Sequence, residues 1–395
     1  MKRREFIIQS GTVLTAAALI STFSGLPTHA EAAQAGKPTR RPDPNAFAQP
    51  IMKAIAWGVN APSPHNTQSW KFAILGDLTM LLYVDEQVLL PATDPPSRQI
   101  HLGAGCFIET LALAATTMGY ETTVEMFPEG YESDQDFGRK PVAHLALRES
   151  TATPDPLATY ITVRQTNRQV YSGPRITLSE FAELTRLAGR GHAEVVFKHE
   201  SLDPFLAMFY EGLDVESRTF RTNEETRKLF RFTEQQMAEK GNGLSLGQMG
   251  YSGIMKAIVT RAVNYGDPKK WHSVRSIDAS MKKMKKGIDS TKGIVFWITP
   301  TNTYLDWVQT GRDYARFALA LTSQDLYAHP YNQAIQEYDE MKPLRDRLNE
   351  IMQIVNPQKI QMVIRIGRGQ VPFYSYRRQT FNIKDSKTSK LTQQP

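Results

Sequence analysis

Apolar positions recur at two periods along the chain. Short stretches such as "WKFAIL", "TMLLYVD", "VAHLALRE", "GIVFWIT" and "IQMVIRIG" are rich in β-branched, aromatic and alternating apolar residues, and they predict strands. Two longer stretches have helical spacing. In residues 105–120, "GCFIETLALAATTMGY", the apolar face is Phe107, Ile108, Leu111, Ala115 and Met118. In residues 311–326, "GRDYARFALALTSQDL", it is Tyr314, Phe317 and Leu321. Both open with Gly, both carry Ala-Leu-Ala at 112–114 and 318–320, and both continue into a Thr or Ser pair. Each predicted helix follows a predicted strand and precedes another. The same order twice predicts an α+β protein of two pseudo-repeated halves, each a sheet with one long buried helix.

Between the long helices, residues of about 200–290 predict charged helices broken by the glycine-rich "EKGNGLSLGQMGYSG" at 239–253. That segment lacks the lysine-serine ending of a phosphate loop, and Gly103-Ala-Gly105 is not followed by a full dinucleotide fingerprint. The expected organisation is a first half at 48–150 and a second half at 151–380 that carries the 200–290 insertion. A flexible leader is expected at 33–47 and a disordered polar tail at 381–395.

The first 32 residues change the picture. A basic start, a moderately apolar stretch, Pro27 and the small-residue pattern Ala30-Glu31-Ala32 predict an export signal rather than a membrane span. Arg3-Arg4-Glu5-Phe6-Ile7 fits the twin-arginine pattern. The expected location is periplasmic, with the export machinery as partner and no stable membrane anchor. The formal charge of +7 is modest, and the lysine run at 282–286 has no interleaved aromatic residues, so it predicts a solvated helix face and no nucleic-acid partner. One cysteine, Cys106, excludes an internal disulfide, and its apolar helix context makes it a packing residue. Eight histidines without a paired metal spacing, and no serine-nucleophile elbow, argue against metal and hydrolytic sites.

Three stretches carry candidate chemistry. "GVNAPSPHNTQSWKF" at 58–72 is stiffened by prolines and packed with uncharged hydrogen-bonding groups, Ser63, Asn66 and Gln68 among them. Amides with mixed donors and acceptors suit the edge of a flat heterocycle, or alternatively cap neighbouring backbone. "VRQTNRQVY" at 163–171 sets Arg164 and Arg168 around Thr166; if helical, the two guanidinium groups share a face and suit a phosphomonoester. Arg377 and Arg378 follow the last predicted strand.

Together, A-P-S-x-x-N-x-Q-x-W, R-x-T-N-R, the terminal arginine pair and "LPATDPPSRQIHLGAG" at 90–105 resemble the nitroreductase family, and within it the Acg-type branch in which two units are fused in one chain. The resemblance implies an FMN-binding fold formed as an intramolecular dimer, with one FMN at the junction of the halves and a monomeric chain. It implies ring and ribityl contacts from Ser63, Asn66 and Gln68. It implies a phosphate clamp from Arg164, Thr166 and Arg168, closed by Arg377 or Arg378. It implies a contact near His329, in the loop after the second long helix. The expected activity is two-electron transfer through FMN to a small acceptor, with NAD(P)H as candidate donor. The alternative is FMN storage under a closed lid formed by the insertion. No catalytic side chain is assigned, because the flavin carries the chemistry.

Overall fold

The computed structural model describes residues 41–379 and residue 381. The signal at 1–32 and most of the tail lie outside the described residues. The first half runs α1 (Pro50–Gly58), β1 (Trp70–Gly76), β2 (Thr79–Val84), α2 (Arg98–Thr117), β3 (Tyr120–Met126) and β4 (Ala143–Glu149). The second opens with α3 (Leu178–Ala188) and β5 (Glu194–Lys198). An inserted segment follows: α4 (Asp203–Arg218), α5 (Phe220–Leu229), β6 (Phe230–Arg231), α6 (Glu234–Lys240), β7 (Leu244–Ser245), α7 (Gly253–Ala262), α8 (Pro268–Trp271) and α9 (Val274–Asp289). The half then closes with β8 (Gly293–Thr299), α10 (Tyr304–Ser323), β9 (Tyr327–Pro330), α11 (Lys342–Ile351) and β10 (Lys359–Gly367).

The two four-stranded sheets have one topology. The first is ordered β1-β2-β4-β3 and the second β5-β8-β10-β9, all antiparallel. Each half is therefore helix, strand, strand, long helix, strand, strand, with its fourth strand inside the sheet. The halves differ at two links, one of them from β9 to β10, which holds α11 where the link from β3 to β4 holds no α-helix. β1 and β2 are joined by a tight turn, whereas the equivalent link from β5 to β8 holds the helical insertion.

Burial explains the strand patterns. All seven residues of β8 are buried. Its side chains alternate between two cores, with Val295 and Trp297 facing the long helices, and Ile294, Phe296 and Ile298 facing α4 and α11. A strand covered on both faces reads as a continuous apolar run for this reason. β3 at the sheet edge alternates between half-buried and exposed instead.

α2 and α10 pack against each other at the centre of the molecule. α2 has the length and apolarity of a membrane span, but it is a buried core helix. Cys106 is buried in this contact and donates to the carbonyl of Gly311 at 3.2 Å. Burial pushes its thiol pKa up to about 12, so it is a packing residue and not a ready nucleophile.

Long-range polar contacts join the parts. The fully buried Arg98 donates to Glu337 and to the carbonyls of Ile335 and Gln361 in the second half. Glu225 of the insertion accepts from the backbone N–H of Ala92 (2.9 Å) and of Thr93 (3.0 Å) in the first half. The expected flexible leader is ordered in its described part. Arg41 donates to Asn60 Oδ1 at 2.6 Å, a short 3-10 turn spans Pro44–Ala46, and Phe47 stacks on Phe381. Composition read this stretch as mobile because its anchors lie far away in sequence.

Candidate functional site

The loop before β1 is built from strained backbone. His65, Asn66 and Gln68 hold φ of 47°, 53° and 53°, the left-handed region that non-glycine residues rarely adopt. Local bonds hold it there: Asn66 N–H donates to Ser63 O, Thr67 N–H to Pro64 O, and Gln68 N–H to Ser63 Oγ at 2.9 Å. Pro62 and Pro64 reduce the freedom of the unfolded loop.

This loop forms one wall of a cavity of about 1040 Å³ between the halves. Ser63, His65, Gly103 and Cys106 line it from the first half. Thr166, Arg168, Tyr314, His329 and Tyr331 line it from the second. The insertion closes it with Leu246, Met249, Tyr251, Met281 and Met284, among others. The volume is that of a site for a large organic ligand.

The sequence-derived candidates divide in two. Ser63, Thr166, Arg168 and His329 line the cavity. Asn66, Gln68, Arg164, Arg377 and Arg378 stand behind its wall. Asn66 Nδ2 donates to the carbonyls of Gly243 (3.1 Å) and Tyr376 (3.2 Å), and its Oδ1 accepts from Arg377 at 3.0 Å. Gln68 donates to Gly241 O at 2.8 Å and accepts from the Arg378 N–H at 3.0 Å. Arg377 also donates to the carbonyls of Val59 (2.7 Å) and Ala61 (3.1 Å). Arg378 donates to Thr67 O at 3.1 Å. These four side chains tie the strained loop to the glycine-rich segment and to the chain end. Most of their hydrogen bonds go to backbone and the rest to one another, close to the capping alternative that amide chemistry alone left open.

Residues 163–171 are not helical. Thr166 makes a parallel bridge with Ala328 of β9, and Asn167 N–H donates to Ala328 O at 3.1 Å. Without a helical turn the two arginines have different surroundings. Arg164 is buried and reaches the carbonyl of Asn60 at 3.4 Å. Arg168 lines the cavity, and among the described residues its guanidinium has neither a hydrogen bond nor an ion pair.

The electrostatics favour an anion. Arg41, Arg164, Arg168, Arg365 and Arg377 surround this region, and none has an ion-pair partner among the described residues. Burial, and for most of them a neighbouring arginine, lowers the pKa of Arg41, Arg164, Arg168 and Arg377. Unpaired buried cations are costly, and a bound anion would relieve that cost. His65 and His329 register the same field. Burial first and the Arg168 charge second push His65 down to about 4, while His329 lies well below its ordinary value for the same reasons plus Arg365. Arg365 Nε donates to His329 Nδ1 at 3.2 Å, so the neutral ring carries its proton on Nε2.

Two phenols complete the site. The hydroxyls of Tyr314 and Tyr331 are buried at the cavity and lack a hydrogen-bond partner among the described residues. Sequence reasoning missed them because Tyr314 counted only as part of an apolar helical face. It also missed His65, inside a stretch already singled out. Among the described residues no cluster of His, Cys, Asp and Glu could hold a metal.

Comparison with known proteins points the same way. No family model matches the chain. It is 28% identical over 149 residues to a Mycobacterium tuberculosis protein provisionally named as an NAD(P)H nitroreductase, covering 36% of this chain and 40% of that one. It is 34% identical over 87 residues to another, NAD(P)H nitroreductase acg of the same organism, covering 22% and 26%. The nitroreductase family is supported by these relatives. The matched stretches span well under half the length of either. A nitroreductase-like protein of Bacillus cereus aligns over 58% of this chain and 94% of its own, at 13% identity and a TM-score of 0.31. A nitroreductase from Anabaena variabilis aligns over 73% and 69%, at 11% identity and a TM-score of 0.34.

Proposed function

We propose that the protein is an exported, FMN-binding oxidoreductase of the nitroreductase type, fused as an intramolecular dimer, that passes two electrons to a small acceptor. The observation that carries this reading is Arg168. Among the described residues it is a cation without a partner, on the wall of a cavity built by both halves, beside two hydroxyls that likewise lack one. An anionic, hydrogen-bonding ligand satisfies all three.

Arg168 and Thr166 would hold the FMN phosphate. Ser63 and the loop at 62–68 would bound the ring, and His329 Nε2–H and the tyrosine hydroxyls would offer donors to it. Bound FMN would supply the hydride chemistry. Neutral His329 can donate a hydrogen bond from Nε2 without adding a charge. The apolar residues of the insertion, Leu246 and Met281 among them, would shield part of a bound flavin from water. Arg377, Asn66 and Gln68 fix the loop from behind rather than gripping the ligand. NAD(P)H is the candidate donor. One of the solved structures that aligns with this chain is an FMN-dependent nitroreductase from Mycobacterium smegmatis in complex with NADPH.

The insertion supports a second reading, FMN storage. Its residues form much of the cavity wall, on the side where they could act as a lid over bound flavin. Steady-state assay of the flavin-loaded protein with NADH or NADPH and a nitroaromatic separates the two. Turnover supports the oxidoreductase. Retained flavin that reacts slowly with reductant and does not turn over supports storage.

A further inference from the structure

Away from the arginine cluster in sequence, α4 and the turn after β9 bring to the cavity wall acceptor oxygens that have no hydrogen-bond partner among the described residues. Glu216 is 8% exposed and Gln336 4%. Glu216 Oε2, Gln336 Oε1 and Gln333 Oε1 line or border the cavity and are buried without a hydrogen-bond partner among the described residues. Three unsatisfied acceptors in one place cost free energy that a donor-rich ligand would recover. Leu213, Met281 and Tyr331 supply apolar surface on the same cavity.

We propose that Glu216, Gln333 and Gln336 form a subsite for a primary ammonium group, and that the acceptor used by this protein is an apolar, ring-bearing molecule that carries one. The identity of the acceptor rests on the oxidoreductase reading above; the ammonium subsite does not. Three acceptor oxygens on one cavity wall equal in number the three N–H donors of an ammonium. A carboxylate among them makes the bond charge-assisted, and a neutral hydroxyl in its place forfeits that.

The surroundings of Glu216 set when it is charged. Burial pushes its pKa up to about 7, the carboxylate of Glu225 on α5 adds to the rise, and the amides of Gln336 and Gln333 oppose it. The phenol of Tyr338 also faces it, itself next to Glu340 and Arg221. An ammonium ligand therefore binds more tightly above about pH 7 than below it, whereas its alcohol analogue does not change.

The test is calorimetric titration of the purified protein, flavin-loaded and flavin-free, with benzylamine and with benzyl alcohol. Binding is read directly, so the result does not depend on turnover, and the flavin content of the same sample is read from its spectrum. The proposal expects benzylamine to bind roughly ten- to a hundredfold more tightly than benzyl alcohol. Glu216→Gln, nearly isosteric, should abolish most of that preference, and Gln336→Met should reduce it. Equal affinity for the two ligands in the unmodified protein overturns the subsite, as does no binding of the amine. A preference that survives Glu216→Gln in a variant with an unchanged melting temperature also overturns it. A colourless protein that still prefers the amine leaves the subsite standing and removes the flavin reading.

Discussion

Gly105 of α2 and Gly311 of α10 face each other's helix across a local two-fold relation. A Cβ on Gly105 would stand 1.9 Å from the carbonyl oxygen of Val308, and one on Gly311 would stand 2.0 Å from that of Leu102. The two positions are equivalent in the duplicated sequence, and so are Leu102 and Val308. The same contact is therefore made twice, once in each direction, as in an isologous dimer interface. Here both sides belong to one chain.

Alanine at either glycine should destabilise the protein. Gly→Ala inside a helix ordinarily gains about 1 kcal/mol. Against that, the new methyl group meets rigid backbone, and overpacking of this sort costs about 1–3 kcal/mol or more. Thermal melts of Gly105→Ala and Gly311→Ala should fall below that of the parent. Gly76→Ala is the control, since its Cβ would meet only Thr79 Oγ1 at an ordinary 3.6 Å. Equal melting of all three would remove the close crossing.

Arg168 should discriminate FMN from riboflavin. A charge-assisted bond to phosphate contributes about 1.5–3 kcal/mol, so Arg168→Ala should weaken FMN roughly ten- to a hundredfold and riboflavin far less. Asn66→Ala should behave otherwise. It leaves two buried carbonyls and Arg377 short of partners. Stability should drop by about 1–3 kcal/mol and both flavins should weaken alike. Fluorescence titration of each apoprotein with both flavins decides. Equal effects of Arg168→Ala on both ligands would remove it as the phosphate contact.

His65 makes folding sensitive to acid. Its folded pKa is about 4 against an ordinary 6.5, burial being the larger cause and Arg168 the second. The unfolded chain thus takes up a proton that the folded chain refuses. The stability tied to neutral His65 is present above pH 6.5 and lost as pH falls from 6.5 toward 4. The full loss is on the order of 3 kcal/mol. Melting curves of the parent and His65→Gln should diverge across that window, the parent losing more. Parallel curves would show that His65 is not held neutral.

Much of the fold was legible because burial writes directly into composition. The double-sided burial of β8 gives "GIVFWIT", and the equivalence of α2 and α10 shows in their aligned glycines and Ala-Leu-Ala. The insertion showed as a change to charged helices. The site was legible in type and less so in detail. Thr166, Arg168, Ser63 and His329 were named from short motifs and stand on one cavity. Asn66 and Arg377 were named for the same reason and turn their hydrogen bonds to backbone. A motif reports that a polar group is needed but not whether a ligand or a carbonyl satisfies it. Glu216 and Tyr314 gave no signal, since only the fold brings α4 and α10 to the cavity.

Export rests on the first residues. If the twin-arginine receptor reads both guanidinium groups, Arg3→Lys combined with Arg4→Lys should leave the full-length protein in the cytoplasm. Fractionation of cells expressing each form checks this, and normal periplasmic yield from the double variant would remove the export assignment.

The most direct test of the flavin site is the visible spectrum of the purified mature protein, with flavin stoichiometry and light scattering on the same sample. The composite cavity, with Arg168 on its wall free of a partner among the described residues, predicts a yellow monomer that holds one FMN per chain and reloads after the flavin is stripped. A colourless protein that does not take up FMN would contradict the account, as would two flavins per chain or binding confined to an oligomer.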